Sequence, residues 1–528
     1  MTQSSPPTKR SILSSAMLMS VITMGSRFLG LIREQVRAHY LGTSFASDAF
    51  GIAFQIPNLL RRLVAEGAMT SGFIPIFAQT RSDQGDEAAW TFTRRFFNLQ
   101  IWVLLVIVSL GVLFREELVL AFAAIGGRVP EPELGLLTSE LLGLMFPYIA
   151  FVSFAAVMQG ILNSYQIFWV SASTSILLNL SVIIAALIGG ELYGEPVYAM
   201  AIGVVVGGFL QFVTQIPAVR RVGFRWRPDF GAGPAVKKAL ALLGPTTLGV
   251  GVYQLNVLIS QAIAWGIGDG AVSSLQYSSR LLELTLGIFS VALSTAVLPA
   301  LARFVAERNE SEVREILSMG VRLSWFICLP VTVGLSLVSV ETIQILFERG
   351  SFTAESTALT ASALNYHIVG LLFISLTRIY LPCYYAFKDT WTPLWSALIS
   401  MLVNIGCCYA LAPSMGAPGI ALANSISAVA QLVVLRALLT KHVTLGFDRV
   451  TLRSAGLSTL CAVLAGLGVW GFQENFADAL RDGSAELLLS YGLMVLIGAG
   501  VFLGAAVVSK HPELVQLKEL LKRRRQKS

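Results

Sequence analysis

The chain has 528 residues, of which 55% are hydrophobic and only 13% charged, against about 25% charged in a soluble domain. With a mean hydropathy of +0.70, that composition excludes a soluble globular enzyme. The apolar residues fall in long blocks, as in an all-α polytopic membrane protein, and not in the segments of about 10 residues with period two that mark a membrane β-barrel.

In chain order, stretches able to cross about 30 Å of hydrocarbon lie at 12–33, 47–78, 96–114, 137–162, 168–189, 197–219, 238–266, 272–302, 316–340, 358–386, 392–411, 418–440, 452–473 and 486–508. They predict fourteen transmembrane helices. The N-terminus imitates a signal peptide, but Arg27 interrupts its apolar run and no small-x-small site follows, so it reads as an uncleaved first span. The stretch 47–79 has a bend or an extension to explain, because 33 helical residues would reach about 50 Å; Pro57 is the residue that can bend it. Between spans 3 and 4, LVLAFAAIGG is too short to cross and reads as interfacial.

Charge placement sets the topology. With the N-terminus in the cytoplasm, 26 of the 38 Lys and Arg fall on cytoplasmic segments, 6 on outer segments and 6 within spans. This split puts both termini in the cytoplasm. It also explains the net charge of +7 without nucleic acid. The tail PELVQLKELLKRRRQK is a basic anchor on that side, with a lipid-bound surface helix as the other reading. Cys328, Cys383, Cys407, Cys408 and Cys461 all lie in apolar stretches and read as packing residues. The four histidines are scattered; neither a metal nor a cofactor is expected.

Two echoes suggest an internal repeat. IPIFAQ (74–79) returns as LPALAR (298–303) at an offset of 224. The hairpin from Tyr148 to Asn179 returns between His367 and Asn404, the two asparagines 225 apart. Two six-helix halves related by a parallel pseudo-repeat follow, with two extra C-terminal helices. The predicted organisation is 1–219 (spans 1–6), a basic linker 220–236, 237–445 (spans 7–12), 446–508 (spans 13 and 14) and a basic tail 509–528. Such a duplication suits a transporter that rocks two halves about a midplane site.

Charges within spans point to the cargo, because a central Arg costs about 2.5–3.5 kcal/mol on insertion scales. SRFLGLIRE (26–34) places Arg27 and Glu34 seven residues apart on one helical face, with Arg33 near the outer end. In the second span Asp48 precedes Pro57, and Arg62 with Glu66 at i,i+4 forms a local pair. Arg61 points about 100° away from Arg62 and is left without an obvious partner. Arg280 and Glu283 lie one turn apart on span 8, while Arg322 and Arg378 fall nearer span ends. Guanidinium forks match phosphate oxygens, so the ligand is read as an anion, phosphorylated, with Glu34, Asp48 and Glu66 holding the arginines in its absence. A membrane glycosyltransferase or acyltransferase would require an acid, His or metal cluster. His39 stands alone and no DxD pair occurs.

SRFLGLIRE, SDAFGIAFQIPNLLRRLVAEGAMTSGFIPIFAQ (47–79) and SSRLLELTLGIFSVALSTAVLP (278–299) closely resemble the MurJ/MviN family of lipid II flippases, in the MOP exporter superfamily. The resemblance spans essentially the whole chain. It implies transport of undecaprenyl-pyrophosphate-linked peptidoglycan precursor from the cytoplasmic to the periplasmic leaflet of the bacterial inner membrane by alternating access, with a groove at spans 13 and 14 for the polyprenyl tail. Carried over residue by residue, the substrate-binding positions are Arg27, Arg33, Asp48, Arg61 and Arg280, supported by Glu34, Arg62, Glu66 and Glu283. Glu34 stands where many members have Asp. Some members bind sodium through carboxylates in spans 7 and 11, but span 7 here has no acid and span 11 offers Asn404 and Cys408. Lipid II, membrane lipids and other cell-wall synthesis proteins are the implied partners. A flippase for another polyprenyl-linked glycan, or an antiporter of the same superfamily, is the alternative.

Overall fold

The computed structural model describes residues 9–63, 72–127, 131–231, 233–443, 448–476, 484–516 and 518; Glu66 and the basic end of the tail lie outside them. The chain divides into two compact units, residues 1–273 with 349–352, and 274–348 with 353–528. All regular structure among the described residues is helical.

In the first unit α1 (Lys9–Leu41) and α2 (Phe45–Arg61) are followed by α3 (Ile74–Gln84), α4 (Asp86–Leu113) and the short α5 (Arg115–Gly126). Then come α6 (Pro132–Met145), α7 (Tyr148–Ser164), α8 (Phe168–Ile188), α9 (Pro196–Val213), α10 (Ile216–Arg221) and α11 (Pro234–Ile267). The second unit takes most of α12 (Ala271–Ala306), then α13 (Glu310–Leu337), α14 (Ser339–Phe347), α15 (Ala354–Val369) and α16 (Leu371–Ala386). It ends with α17 (Trp391–Met415), α18 (Ala417–Leu438), α19 (Arg449–Phe476) and α20 (Ser484–Val508).

Helix falls on each of the fourteen apolar stretches. Among the described residues nine helical segments are long and apolar enough to cross a membrane, ten if α15 and α16, bent by 41° at Gly370, form one span. Their outward faces remain apolar: Trp102, Leu105 and Leu113 on α4 and Leu488, Leu489 and Leu496 on α20 are exposed. In water such faces would drive aggregation, whereas facing lipid they are at home. α2 runs through Pro57 to Arg61, and whether the longer stretch bends lies beyond it, outside the described residues. At 12 residues, or about 18 Å, α5 is too short to cross.

Each unit has its own core. In the first, Phe73, Phe77, Trp90, Phe92 and Phe96 pack with Val157 and Ile161 of α7. In the second, Leu317 and Cys328 of α13 pack with Ile379, Cys383 and Tyr384 of α16. All five cysteines are free thiols. The basic loop after α10 is held and not loose. Arg95 pairs with Asp229 at 3.0 Å, and Asn98 donates to the carbonyls of Arg227 and Asp229 while accepting from the Trp226 indole. The Arg95 hydrogen bond holds the Asp229 carboxyl below its usual range.

α8 and α9 meet through glycine. A Cβ on Gly203 would lie 2.9 Å from the Ser181 carbonyl oxygen, and one on Gly207 3.0 Å from the Leu178 Cα. Four residues apart, these glycines form the small-xxx-small stripe that lets helix backbones approach in a membrane. Gly203→Leu and Gly207→Leu should each destabilise the protein by about 1–3 kcal/mol, the usual cost of overpacking. A lowered thermal unfolding midpoint in detergent is the measurement; an unchanged midpoint would show that the helices part freely.

Candidate anion-binding site

The charges of α1 pair with near neighbours and with α8. Glu34 does not reach along the helix to Arg27. Its carboxylate accepts from Arg33, and from Arg37 at 3.4 Å. Arg33 also donates 3.2 Å to Oδ1 of Asn179 on α8, whose Nδ2 donates to the Ser26 carbonyl. Asn179 therefore ties two turns of α1 to α8 and fixes the Arg33 guanidinium between an amide and a carboxylate. Arg27, half-buried, makes no hydrogen bond or ion pair among the described residues. A semi-buried guanidinium in that condition has its donors available for an anion.

Arg37 was assigned by sequence to an outer segment, and its role was missed. It is buried, donates 2.7 Å to the Ser47 carbonyl and lies 5.4 Å over the Phe50 ring. It binds α1 to the first turn of α2, just beyond the Gly42 turn. Only its position ten residues before Ser47, with a tight Gly-Thr-Ser turn between, hinted at this.

Asp48 is the most constrained carboxylate of the predicted set. It is 1% exposed, yet no guanidinium hydrogen-bonds to it among the described residues. Its two oxygens each accept a backbone N–H at 2.8 Å, from Gly270 and Ser273. Asp48 caps the first turn of α12, where backbone donors lack intrahelical acceptors, and the Arg37 charge also acts on it. Gly270, at φ +78°, permits the approach, since a Cβ there would lie 2.5 Å from the Thr43 carbonyl oxygen. Asp48→Ala should cost about 1–3 kcal/mol for each buried donor left unmet, and Asp48→Asn less, because one carbonyl oxygen remains. Chemical unfolding of the two variants tests this; equal stability of Asp48→Ala and wild type would refute the capping role.

Arg61 has a partner after all, donating from Nε to Asn58 Oδ1 at 2.9 Å one turn back. The pairing expected between Arg62 and Glu66 falls partly outside the described residues. In the second unit, Arg280 meets Glu283 through one contact of 3.4 Å. Its Nε is buried with no acceptor among the described residues, so the neighbouring acid satisfies only one side of the fork. Asn404 and Cys408 are buried on α17, the thiol 3.7 Å from the amide oxygen.

The chemistry on offer is cationic donation, with the Glu34 and Glu283 carboxylates beside Arg33 and Arg280. Guanidinium groups with unfilled donors bind and orient an oxyanion.

A family model described as lipid II flippase MurJ matches residues 37–488. The chain is 32% identical over 501 residues to the probable lipid II flippase MurJ of Rickettsia prowazekii, covering 94% of this chain and 98% of that one. It is 34% identical over 424 residues to the lipid II flippase MurJ of Burkholderia cenocepacia, covering 79% and 81%. Among solved structures, a lipid II flippase MurJ in an inward closed conformation aligns with a TM-score of 0.81 and 26% identity over 94% of this chain and all of that one. An inward-facing multidrug resistance MATE transporter of the MOP superfamily aligns with a TM-score of 0.66 at 15% identity, over 81% and 98%, a likeness of fold.

Proposed function

The chain belongs to the lipid II flippase MurJ family, and from that premise we propose that it carries lipid II from the cytoplasmic to the periplasmic leaflet of the bacterial inner membrane. It works as a multi-pass transporter by alternating access and leaves the lipid covalently unchanged. Both termini lie in the cytoplasm, as the distribution of Lys and Arg requires.

Arg27, Arg33, Arg61 and Arg280 bind the pyrophosphate, and the observation that carries this reading is the unfilled donor capacity of Arg27 and Arg280. Glu34 orients Arg33, and Glu283 orients Arg280. Asp48 serves by fixing the start of α12, and Arg62 and Glu66 are supporting residues by their i,i+4 spacing. The linker 220–236 joins the two repeat halves, and residues 446–508 form the groove for the polyprenyl tail. An antiporter for cationic drugs would need an acidic cavity, which the excess of arginine argues against.

Transport of an anion outward is favoured by an inside-negative potential, worth about 2.3 kcal/mol per charge per 100 mV. The test is lipid II accessibility at the outer leaflet in cells depleted of this protein, with the potential intact and collapsed. Loss of accessible lipid II on depletion supports the reading. Undiminished accessibility, or conversion of lipid II into another glycan by the purified protein, overturns it.

A further inference from the structure

The bend between α15 and α16 falls on a turn that neighbouring helices hold. At Gly370 the chain turns by 41°, and the Gly370 N–H goes to the His367 carbonyl at 3.0 Å, not to the Tyr366 carbonyl that a continuous helix would offer it. Side chains from other helices take the freed carbonyls, as a break inside a membrane requires. The Ser425 hydroxyl of α18 donates 2.6 Å to the Tyr366 carbonyl, and Thr332 of α13 donates 3.4 Å to that of Ile368. A Cβ on Gly370 would lie 2.8 Å from Ser425 Oγ. The turn that carries His367 is therefore fixed to α18 as well as to its own helix.

From that turn His367 reaches α12. It is 5% exposed, and Ser278 of α12 is fully buried. The Ser278 hydroxyl donates to the Leu275 carbonyl at 3.1 Å. Its oxygen is left to accept from His367 Nδ1, 2.8 Å away. The network thus assigns the ring proton to Nδ1 and leaves Nε2 to accept from the Asn424 amide of α18 at 3.4 Å. Each ring nitrogen has its own partner on a different helix.

Ser278 lies two residues before Arg280, about 200° round the helix. One faces the interior, while the other keeps a quarter of its side chain exposed. Among the described residues the Arg280 side chain bonds only to Glu283 on the same helix. No bond to another helix orients it there, so the guanidinium points where the rotation of α12 sends it. A turn of about 20° would carry a group on a radius of about 6 Å through about 2 Å, more than a hydrogen bond tolerates. Tyr277 packs on Phe347 with ring centroids 5.2 Å apart, an apolar contact that allows a small turn. The bond from His367 to Ser278 is directional and does not.

We propose that His367 is a positioning residue for Arg280: held by α18, it grips Ser278 and sets the rotation of α12 about its axis, which aims the guanidinium at its anion. The inference rests on the reading of Arg280 as a ligand of the transported pyrophosphate.

The experiment measures lipid II binding to the purified full-length protein in lipid nanodiscs. His367→Ala and Ser278→Ala should each weaken binding about tenfold, the loss of about one charge-assisted bond. Together they should cost no more than either alone, because they break the same bond. In an Arg280→Ala background, His367→Ala should weaken binding less than twofold further, since no guanidinium is left to aim. A role confined to stability would cost as much in both backgrounds. His367→Asn, whose amide nitrogen takes the place of Nδ1, should return binding to within about threefold of wild type, whereas His367→Gln, whose amide reaches the Nε2 position, should not. Ser278→Ala deletes a single oxygen and carries the test if His367→Ala does not fold. Wild-type binding by Ser278→Ala, equal effects of asparagine and glutamine, or a further tenfold loss in the Arg280→Ala background overturns the positioning role. Arg280→Ala separates this from the reading beneath it. Wild-type binding by that variant removes the anion site and the positioning role with it; weak binding there beside normal binding by Ser278→Ala removes the positioning role alone.

Discussion

Arg27→Ala and Arg280→Ala should each cut the appearance of lipid II at the outer leaflet to near background, on the order of 100-fold below wild type. The size follows from the charge-assisted bonds removed. Each hydrogen bond to a charged group contributes about 1.5–3 kcal/mol, and a pyrophosphate left short of one guanidinium in a low-dielectric site also bears uncompensated charge. A loss of about 3 kcal/mol corresponds to about 100-fold. Lysine should restore only part of the activity, since an ammonium keeps the charge but cannot make the two parallel bonds of a guanidinium. Arg303→Ala is the control. That side chain is 68% exposed and pairs with Glu307 one turn along α12, an arrangement that contributes little, so transport should change less than twofold. An accessibility assay on cells expressing each variant at equal level decides the matter. Full transport by both Arg27→Ala and Arg280→Ala would remove the anion site.

The helices were legible because a bilayer enforces them. Every backbone polar group in hydrocarbon must be satisfied within its own segment, so long apolar runs translate into helix almost without choice. Breaks were less legible. Gly370 interrupts a run that sequence reads as one span, 358–386, and the helix bends there by 41°. Pairing was the least legible, because spacing along one helix says nothing about the neighbouring helix. Glu34 shares a helical face with Arg27, yet it bonds Arg33 and Arg37, and α8 brings Asn179 to Arg33 as well. Asp48 was read as a counter-ion because it is an acid near arginines. Its partners are two amides more than 200 residues away, and backbone donors carry no sequence signature. Likewise Arg322 was ranked low for its place near a span end, and the acid that meets it is found in the tail.

That acid gives the second large effect: Glu513→Ala should destabilise the second unit by about 3–5 kcal/mol, the usual cost of stripping one partner from a buried ion pair. Arg322 on α13 donates from Nε to Glu513 Oε1 at 3.0 Å, and the two side chains are only 6% and 3% exposed. The Ser454 hydroxyl of α19 donates 3.0 Å to the same oxygen. Beside it, His511 lies 3.0 Å from the Ser458 hydroxyl and packs against Phe326 of α13. The first residues of the tail are thus part of a polar knot joining α13 to α19, whereas the sequence reading treated the tail only as a basic anchor or surface helix. Removing the acid leaves a buried guanidinium whose remaining counter-charge is that of Asp448. Glu513→Gln keeps an acceptor for Ser454 and Arg322 but loses the charge, so its cost should fall between alanine and wild type. Replacing both partners, Arg322→Met with Glu513→Leu, removes the charge along with its counter-charge and should recover much of the loss, because apolar pairs of similar volume often equal buried ion pairs in stability. Arg322→Met alone, Glu513→Leu alone, the double variant and wild type form a double-mutant cycle read by chemical unfolding in detergent, with α19 reported by a fluorophore at its exposed face. A coupling energy near zero would mean that the two charges are solvated separately and that the tail does not hold α13 and α19 together.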